Sequence, residues 1–160
     1  MLRVLFVCTA NICRSPMAEA LFKNIVAEEI DSKVWEVESA GTWAVAGIPA
    51  AKNSRLAMYN RGLNIEGHRS QPVNGNMLNT FDLILTMEQR HKEILSIEFP
   101  EISNRIYVLT EMVGISYDIW DPIGASLDEF NNTADELENI LTQGYGNIQR
   151  TAVEGSGKKL

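Results

Sequence analysis

Two thiols, a guanidinium and a hydroxyl lie close together near the start of the chain, in the run Cys8-Thr9-Ala10-Asn11-Ile12-Cys13-Arg14-Ser15. The pattern is a cysteine, five residues, then Arg and Ser. A cysteine attacks as a thiolate, and thiolates form where positive potential is concentrated. Such potential is available here from loop N–H groups, a following helix N-terminus, the Arg14 guanidinium and the Ser15 hydroxyl. The same groups suit a phosphate dianion. Arg14 can grip two phosphoryl oxygens at once, as a planar fork does and a lysine cannot. Thr9, Ala10, Asn11, Ile12 and Cys13 would then form the wall of a phosphate cradle. The chemistry indicated is thiolate attack on phosphorus. The competing reading of Cys8 is a small buried hydrophobe.

The elements that must position this loop are legible around it. Arg3 to Val7 is an apolar, β-branched run and reads as a buried strand. Pro16 suits the first position of a helix with Ser15 as its N-cap, and Met17, Ala20, Leu21, Ile25 and Val26 mark the apolar face. Further strands are expected at Val34 to Ser39, Phe81 to Thr86 and Ile106 to Leu109. Further helices are expected after Pro49 as far as Gly62, over Met87 to Phe99 with Ile94 and Leu95 inward, and over Leu127 to Leu141. Strands alternating with helices imply an α/β fold: one domain, a four-stranded parallel sheet with helices on both faces. Ligands of such folds sit beyond the carboxyl ends of the strands, where Cys8 falls. The domain is expected to span residues 1–144, with 145–160 a flexible tail, because the apolar pattern fades after Gly144 and Gly155 to Lys159 is polar.

Composition narrows the partners. With 160 residues and 45% hydrophobic side chains, the chain can bury a rigid core. A formal charge of −7 argues against a nucleic-acid partner. The two cysteines cannot staple a secreted scaffold, so a reducing cytoplasmic setting is expected. Asn11 and Arg14 follow the first apolar run too soon for a secretion signal, and no run is long enough to cross a membrane. His68 and His91, the only histidines, show no ligand spacing with the cysteines, so no metal and no other cofactor is expected. His91, in a charged helical stretch, reads as solvated.

The run Val7 to Pro16 resembles the signature of the low-molecular-weight protein tyrosine phosphatases. The resemblance extends over Arg3 to Leu141, through Ser39-Ala40-Gly41-Thr42-Trp43, Gly67-His68-Arg69-Ser70 and the pair Asp121-Pro122. It implies a phosphatase with Cys8 as the nucleophile, Arg14 as the binder of phosphoryl oxygens and Ser15 as the hydroxyl that stabilises the thiolate. Asp121, which alone would read as part of a turn, is implied to be the general acid and base. Asn11, Ser39 and His68 are implied to hold the loop in shape. Phosphorylated protein would be the substrate and inorganic phosphate the product. Pro122 restricts Asp121 to an extended backbone, which helps aim its side chain.

Several positions depart from the family. Ala10 stands where the family usually has Gly, and costs about 1 kcal/mol if that position needs positive φ. Ile123 replaces an aromatic wall of the substrate slot. Trp43 fits either the opposite wall or the core. The runs Thr86 to Lys92 and Asp135 to Glu138 resemble the protein-arginine phosphatase branch, which favours Thr at the position of Ile12. A branched apolar side chain fits a phenyl ring better than a guanidinium, so Ile12 favours phosphotyrosine, with phosphoarginine the alternative. Arsenate reduction would need further cysteines after Cys13, and none exists. A phosphate-binding module without turnover would need no general acid. Cys13 is close enough to Cys8 to pair with it on oxidation, and equally suits a small apolar gap.

Overall fold

The computed structural model describes residues 1–29 and 34–157. Its elements run β1 (Leu2–Cys8), α1 (Arg14–Glu28), β2 (Trp35–Gly41), α2 (Lys52–Tyr59), α3 (Gly75–Thr80), β3 (Leu83–Thr86), α4 (Gln89–Glu98), β4 (Ile106–Val108) and α5 (Leu127–Ser156). Single 3-10 turns occupy Pro100–Arg105 and Leu109–Val113. The sheet is parallel throughout, in the order β2-β1-β3-β4. The expected fold class is therefore the observed one.

Strand alternation divides the core in two. Leu2, Val4, Phe6 and Cys8 of β1 face one apolar cluster with α1 and α5. Leu5 and Val7 face a second cluster, with Leu78 of α3 and Leu95 of α4. Phe6, Phe22 and Trp35 stack edge to face through the first cluster, with ring centroids 5.6 and 5.2 Å apart. Chain connectivity runs from β1 to β2 on one side, while β3 and β4 extend the other. The crevice where the order reverses lies between the ends of β1 and β3. Two loops meet there: the one after Cys8 and the one after Thr86.

Several expectations need correction. The tail expected from residue 145 is helical as far as Ser156, and Lys158 to Leu160 lie outside the described residues. Ile148, Thr151 and Ala152 continue the buried stripe of α5. Its glycines do not break the helix; they permit close approach. A Cβ at Gly144 would press on Met112, and one at Gly155 would collide with the Asp82 carbonyl. Ile94 is exposed, and the buried residues of α4 are Leu95 and His91. The short helix α3 was not apparent from periodicity, because six residues carry less than two turns of pattern. No helix among the described residues is long and apolar enough to cross a membrane.

Candidate active site

The loop from Cys8 to Arg14 curls around its own thiol. The Asn11 N–H donates to Cys8 Sγ at 3.3 Å, and Ser15 Oγ lies 3.0 Å from the same sulfur. This curl needs one left-handed residue, and it is Asn11, with φ 58°, the only non-glycine among the described residues with positive φ. Ala10 has ordinary backbone, so the substitution of Ala for the family's Gly carries no left-handed cost. The fully buried Asn11 side chain locks the turn. Its Nδ2 donates to Ser15 Oγ at 2.8 Å and to Ser39 Oγ at 3.0 Å, and its Oδ1 accepts the Gln71 N–H at 3.0 Å. Ser39 donates onward to Glu19 at 2.5 Å. His68 Nε2 donates to the Asn11 carbonyl at 2.7 Å, which fixes its proton on that nitrogen. Ser39 and His68 thus sit against Asn11, where the resemblance places them.

Neighbouring backbone clamps the loop from outside. Thr42 and Trp43 donate to the carbonyls of Cys8 and Thr9, both at 2.9 Å, and Ala51 donates to the Ile12 carbonyl at 2.8 Å. This approach requires Gly41, because a Cβ there would run into the Thr9 carbonyl. Ser15 is not the N-cap of α1. The helix begins at Arg14 after Cys13, and the Ser15 hydroxyl turns inward to the thiol and Asn11 instead.

Arg14 is only 1% exposed. Its Nη1 donates to the Ile119 carbonyl at 2.7 Å and lies 2.8 Å from Glu88 Oε2. Its Nη2 is 3.3 Å from Asp121 Oδ2, close enough for charge pairing but outside hydrogen-bond geometry. Both Nε and Nη2 are buried and form no hydrogen bond among the described residues. Asp121 is held by its other oxygen, which accepts the Ile123 N–H at 3.1 Å. Cys8, Ala10, Ile12, Cys13, Arg14, Asp121 and Ile123 line one small cleft, although Asp121 arrives from the loop before α5. A wider groove of about 550 Å3 lies behind the loop along α1; it contains neither thiol and only touches the network through Glu19 and His68.

Electrostatics separate the two thiols. Burial pushes the Cys13 thiol up to about 12, with the charges of Asp121 and Cys8 adding to the effect and Arg14 opposing it. Cys13 therefore stays protonated near neutrality, and the loop's sulfur-directed donors serve Cys8. Both cysteines are free.

Glu88 and His91 were not singled out by the sequence, and His91 is a correction: it is buried, not solvated. The Glu88 N–H donates to His91 Nδ1 at 3.2 Å, so the ring proton is on Nε2, which donates to Thr9 Oγ1 at 2.9 Å. Burial lowers the His91 pKa to about 4; Glu88 works against this, and Arg14 and Arg90 reinforce it. For Glu88 burial alone would raise the carboxyl, but the hydrogen bond and charge of Arg14, with Arg90, hold it below the usual range. Trp43 is 84% exposed, which removes the core reading, and its backbone N–H is the one that donates to the Thr9 carbonyl.

Known proteins share this fold and much of this sequence. Residues 3–154 match the family described as low molecular weight phosphotyrosine protein phosphatase. A protein-arginine-phosphatase of Bacillus subtilis is 39% identical over 141 residues, covering 88% of this chain and 92% of that one. A low molecular weight protein tyrosine phosphatase from T. tengcongensis superposes with a TM-score of 0.86 at 36% identity, covering 92% of this chain and 99% of that one. A structure of a Cys-to-Ser mutant of the YwlE arginine phosphatase, with that active-site serine phosphorylated, gives a TM-score of 0.86 at 33% identity, covering 92% of this chain and 96% of that one. The chain belongs to the low-molecular-weight protein tyrosine phosphatase family of phosphoric monoester hydrolases.

Proposed function

We propose that this protein hydrolyses phosphotyrosine in protein substrates through a phospho-cysteine intermediate. The observation that carries the reading is Arg14. A buried guanidinium with two unpaired donors is unfavourable unless an anion completes it, and it lines the same cleft as the Cys8 thiol. In the first step Cys8 Sγ attacks phosphorus. The S–P bond forms as the P–O bond to the leaving oxygen breaks, and Asp121 passes its proton to that oxygen. In the second step Asp121, now a carboxylate, takes a proton from water as the water attacks phosphorus. The S–P bond breaks, the thiolate returns and phosphate leaves. Arg14 and the loop N–H groups, from Thr9 through Ser15, hold the equatorial oxygens in both transition states. The relative with a phosphorylated serine in its active site supports a covalent route in this family.

Ile12 lines the cleft with branched apolar surface, which favours a phenyl ring, whereas Ile123 lines it where the family has an aromatic wall and weakens the grip on that ring. Trp43, on the rim, supplies a further wall. The second reading, phosphoarginine, is favoured by the 39% identity to a protein-arginine-phosphatase. The deciding experiment compares kcat/KM on phosphotyrosine and phosphoarginine peptides for the wild type and Ile12→Thr. The account predicts a tyrosine preference that Ile12→Thr shifts towards arginine. A wild-type preference for phosphoarginine would overturn the substrate assignment, and an unmoved ratio in the variant would remove Ile12 as the selector.

A further inference from the structure

We infer that Arg90 forms an anion subsite at the mouth of the cleft and selects substrates with an acidic side chain within two residues of the phosphorylated one. This rests on the phosphatase reading above. Glu88 is shared by two guanidinium groups. Its Oε2 lies 2.8 Å from Arg14 Nη1, and its Oε1 accepts from Arg90 Nε at 3.1 Å. Arg14 points inward and is buried, whereas the Arg90 side chain is 60% exposed. Glu88 is the one carboxylate within reach of Arg90, and it is shared with Arg14, which also lies 3.3 Å from Asp121, so the exposed charge of Arg90 is only partly answered. No other carboxylate pairs with Arg90 within 4 Å among the described residues, and Asp118, which accepts the Gln89 N–H at 2.7 Å, is engaged elsewhere.

The side chain is also held in place. Arg90 Nη2 donates to Thr9 Oγ1 at 3.1 Å, on the loop itself, and the same hydroxyl accepts from the buried His91. Its Nη1 makes no hydrogen bond to the described residues, so one edge of the fork stays open. Arg14 and Arg90 contact different oxygens of the Glu88 carboxylate, at 2.8 and 3.1 Å, so the two contacting nitrogens stand within about 8 Å of one another. Neighbouring Cα atoms of a substrate are about 3.8 Å apart, so a phosphate at Arg14 and a carboxylate at Arg90 can belong to residues one or two positions apart. The backbone N–H of the exposed Trp43 donates to the Thr9 carbonyl at 2.9 Å. The rim beside Thr9 thus offers a cation and an exposed indole to the flanking peptide.

The test uses matched phosphotyrosine peptides carrying Glu or Gln at each of the two positions on either side. For the wild type at low salt, at least one Glu peptide should exceed its Gln partner by about threefold in kcat/KM, as an exposed ion pair gives. The preference should shrink as ionic strength rises. In Arg90→Gln the Glu-to-Gln ratio should fall to about one. Because each ratio is internal to one variant, any effect of Arg90 on turnover through Glu88 or Thr9 cancels. A wild type without preference overturns the inference. So does a preference that survives in Arg90→Gln, including a uniform loss on all peptides with the ratio unmoved. Failure of the wild type to turn over an aryl phosphate would instead sink the parent reading, and this inference with it.

Discussion

Asn11 should be the least replaceable residue of the loop that does no chemistry itself. Its side chain makes three buried hydrogen bonds, to Ser15, Ser39 and the Gln71 N–H, at 2.8 to 3.0 Å. At about 1 kcal/mol each, their loss costs on the order of 3 kcal/mol in either Asn11→Ala or Asn11→Gly. The backbone separates the two variants. At φ 58° Ala bears a left-handed cost of roughly 1–2 kcal/mol that Gly does not. Gly in turn gives the unfolded chain extra freedom, worth about 0.4–1 kcal/mol. The left-handed cost is the larger, so Asn11→Gly should be the more stable by about 0.5–1 kcal/mol. Urea denaturation measures this difference directly. Both variants should also lose about a hundredfold in kcat/KM on an aryl phosphate, since a loop displaced by about 1 Å misplaces nucleophile and donors together. An Asn11→Ala protein at least as stable as Asn11→Gly, or full turnover by either, would refute the reasoning.

Other perturbations follow from the same geometry. Glu88→Gln removes the charge that orients Arg14 from 2.8 Å; the loss of a charged hydrogen bond, about 1.5–3 kcal/mol, should lower kcat/KM about ten- to hundredfold. Unchanged kinetics would show that the Ile119 carbonyl suffices. His91 faces Glu88, Arg14, Arg90 and Asp118, and its folded pKa of about 4 lies below the ordinary 6.5. The unfolded chain therefore binds the proton first as pH falls. The stabilisation from neutral His91 is complete above about pH 6.5 and is lost progressively down to about pH 4, on the order of 2–3 kcal/mol in all. An NMR titration of the His91 ring that finds a midpoint near 6.5 would contradict this. Gly41→Ala should lower both stability and turnover, because its Cβ displaces Thr9; activity matching the wild type would contradict the close approach.

What the sequence reveals and conceals follows from how the site is assembled. Cys8, Arg14 and Ser15 are legible because their spacing is local: a short loop between a buried strand and a helix brings them together whatever the rest of the chain does. Asp121 is far from them in sequence, and only the family resemblance joined it to the cleft; its own signal was a turn. Glu88 and His91 fall in the run Thr86 to Lys92 that resembles the protein-arginine phosphatase branch, but nothing local marks them as partners of Arg14 and Thr9. They lie in a charged stretch whose polar pattern describes a surface helix, and the burial of His91 and the contact of Glu88 with Arg14 arise only when the ends of β1 and β3 lie side by side. The long end of α5 is concealed because the apolar pattern thins after Gly144, where Ile148, Thr151 and Ala152 carry the buried stripe and Gly144 and Gly155 serve close packing on Met112 and Asp82. Trp43 had two plausible places in the sequence, and its exposure eliminates the core.

The central claim is that Cys8 becomes phosphorylated and that Asp121 governs both steps. Rapid quenching of Asp121→Asn during turnover of an aryl phosphate with a good leaving group tests it most directly. The account predicts a burst of released phenol stoichiometric with enzyme and phosphate on Cys8 in the quenched protein, with neither in Cys8→Ser. Undiminished turnover by Cys8→Ser, or turnover without phosphate on Cys8, would contradict it.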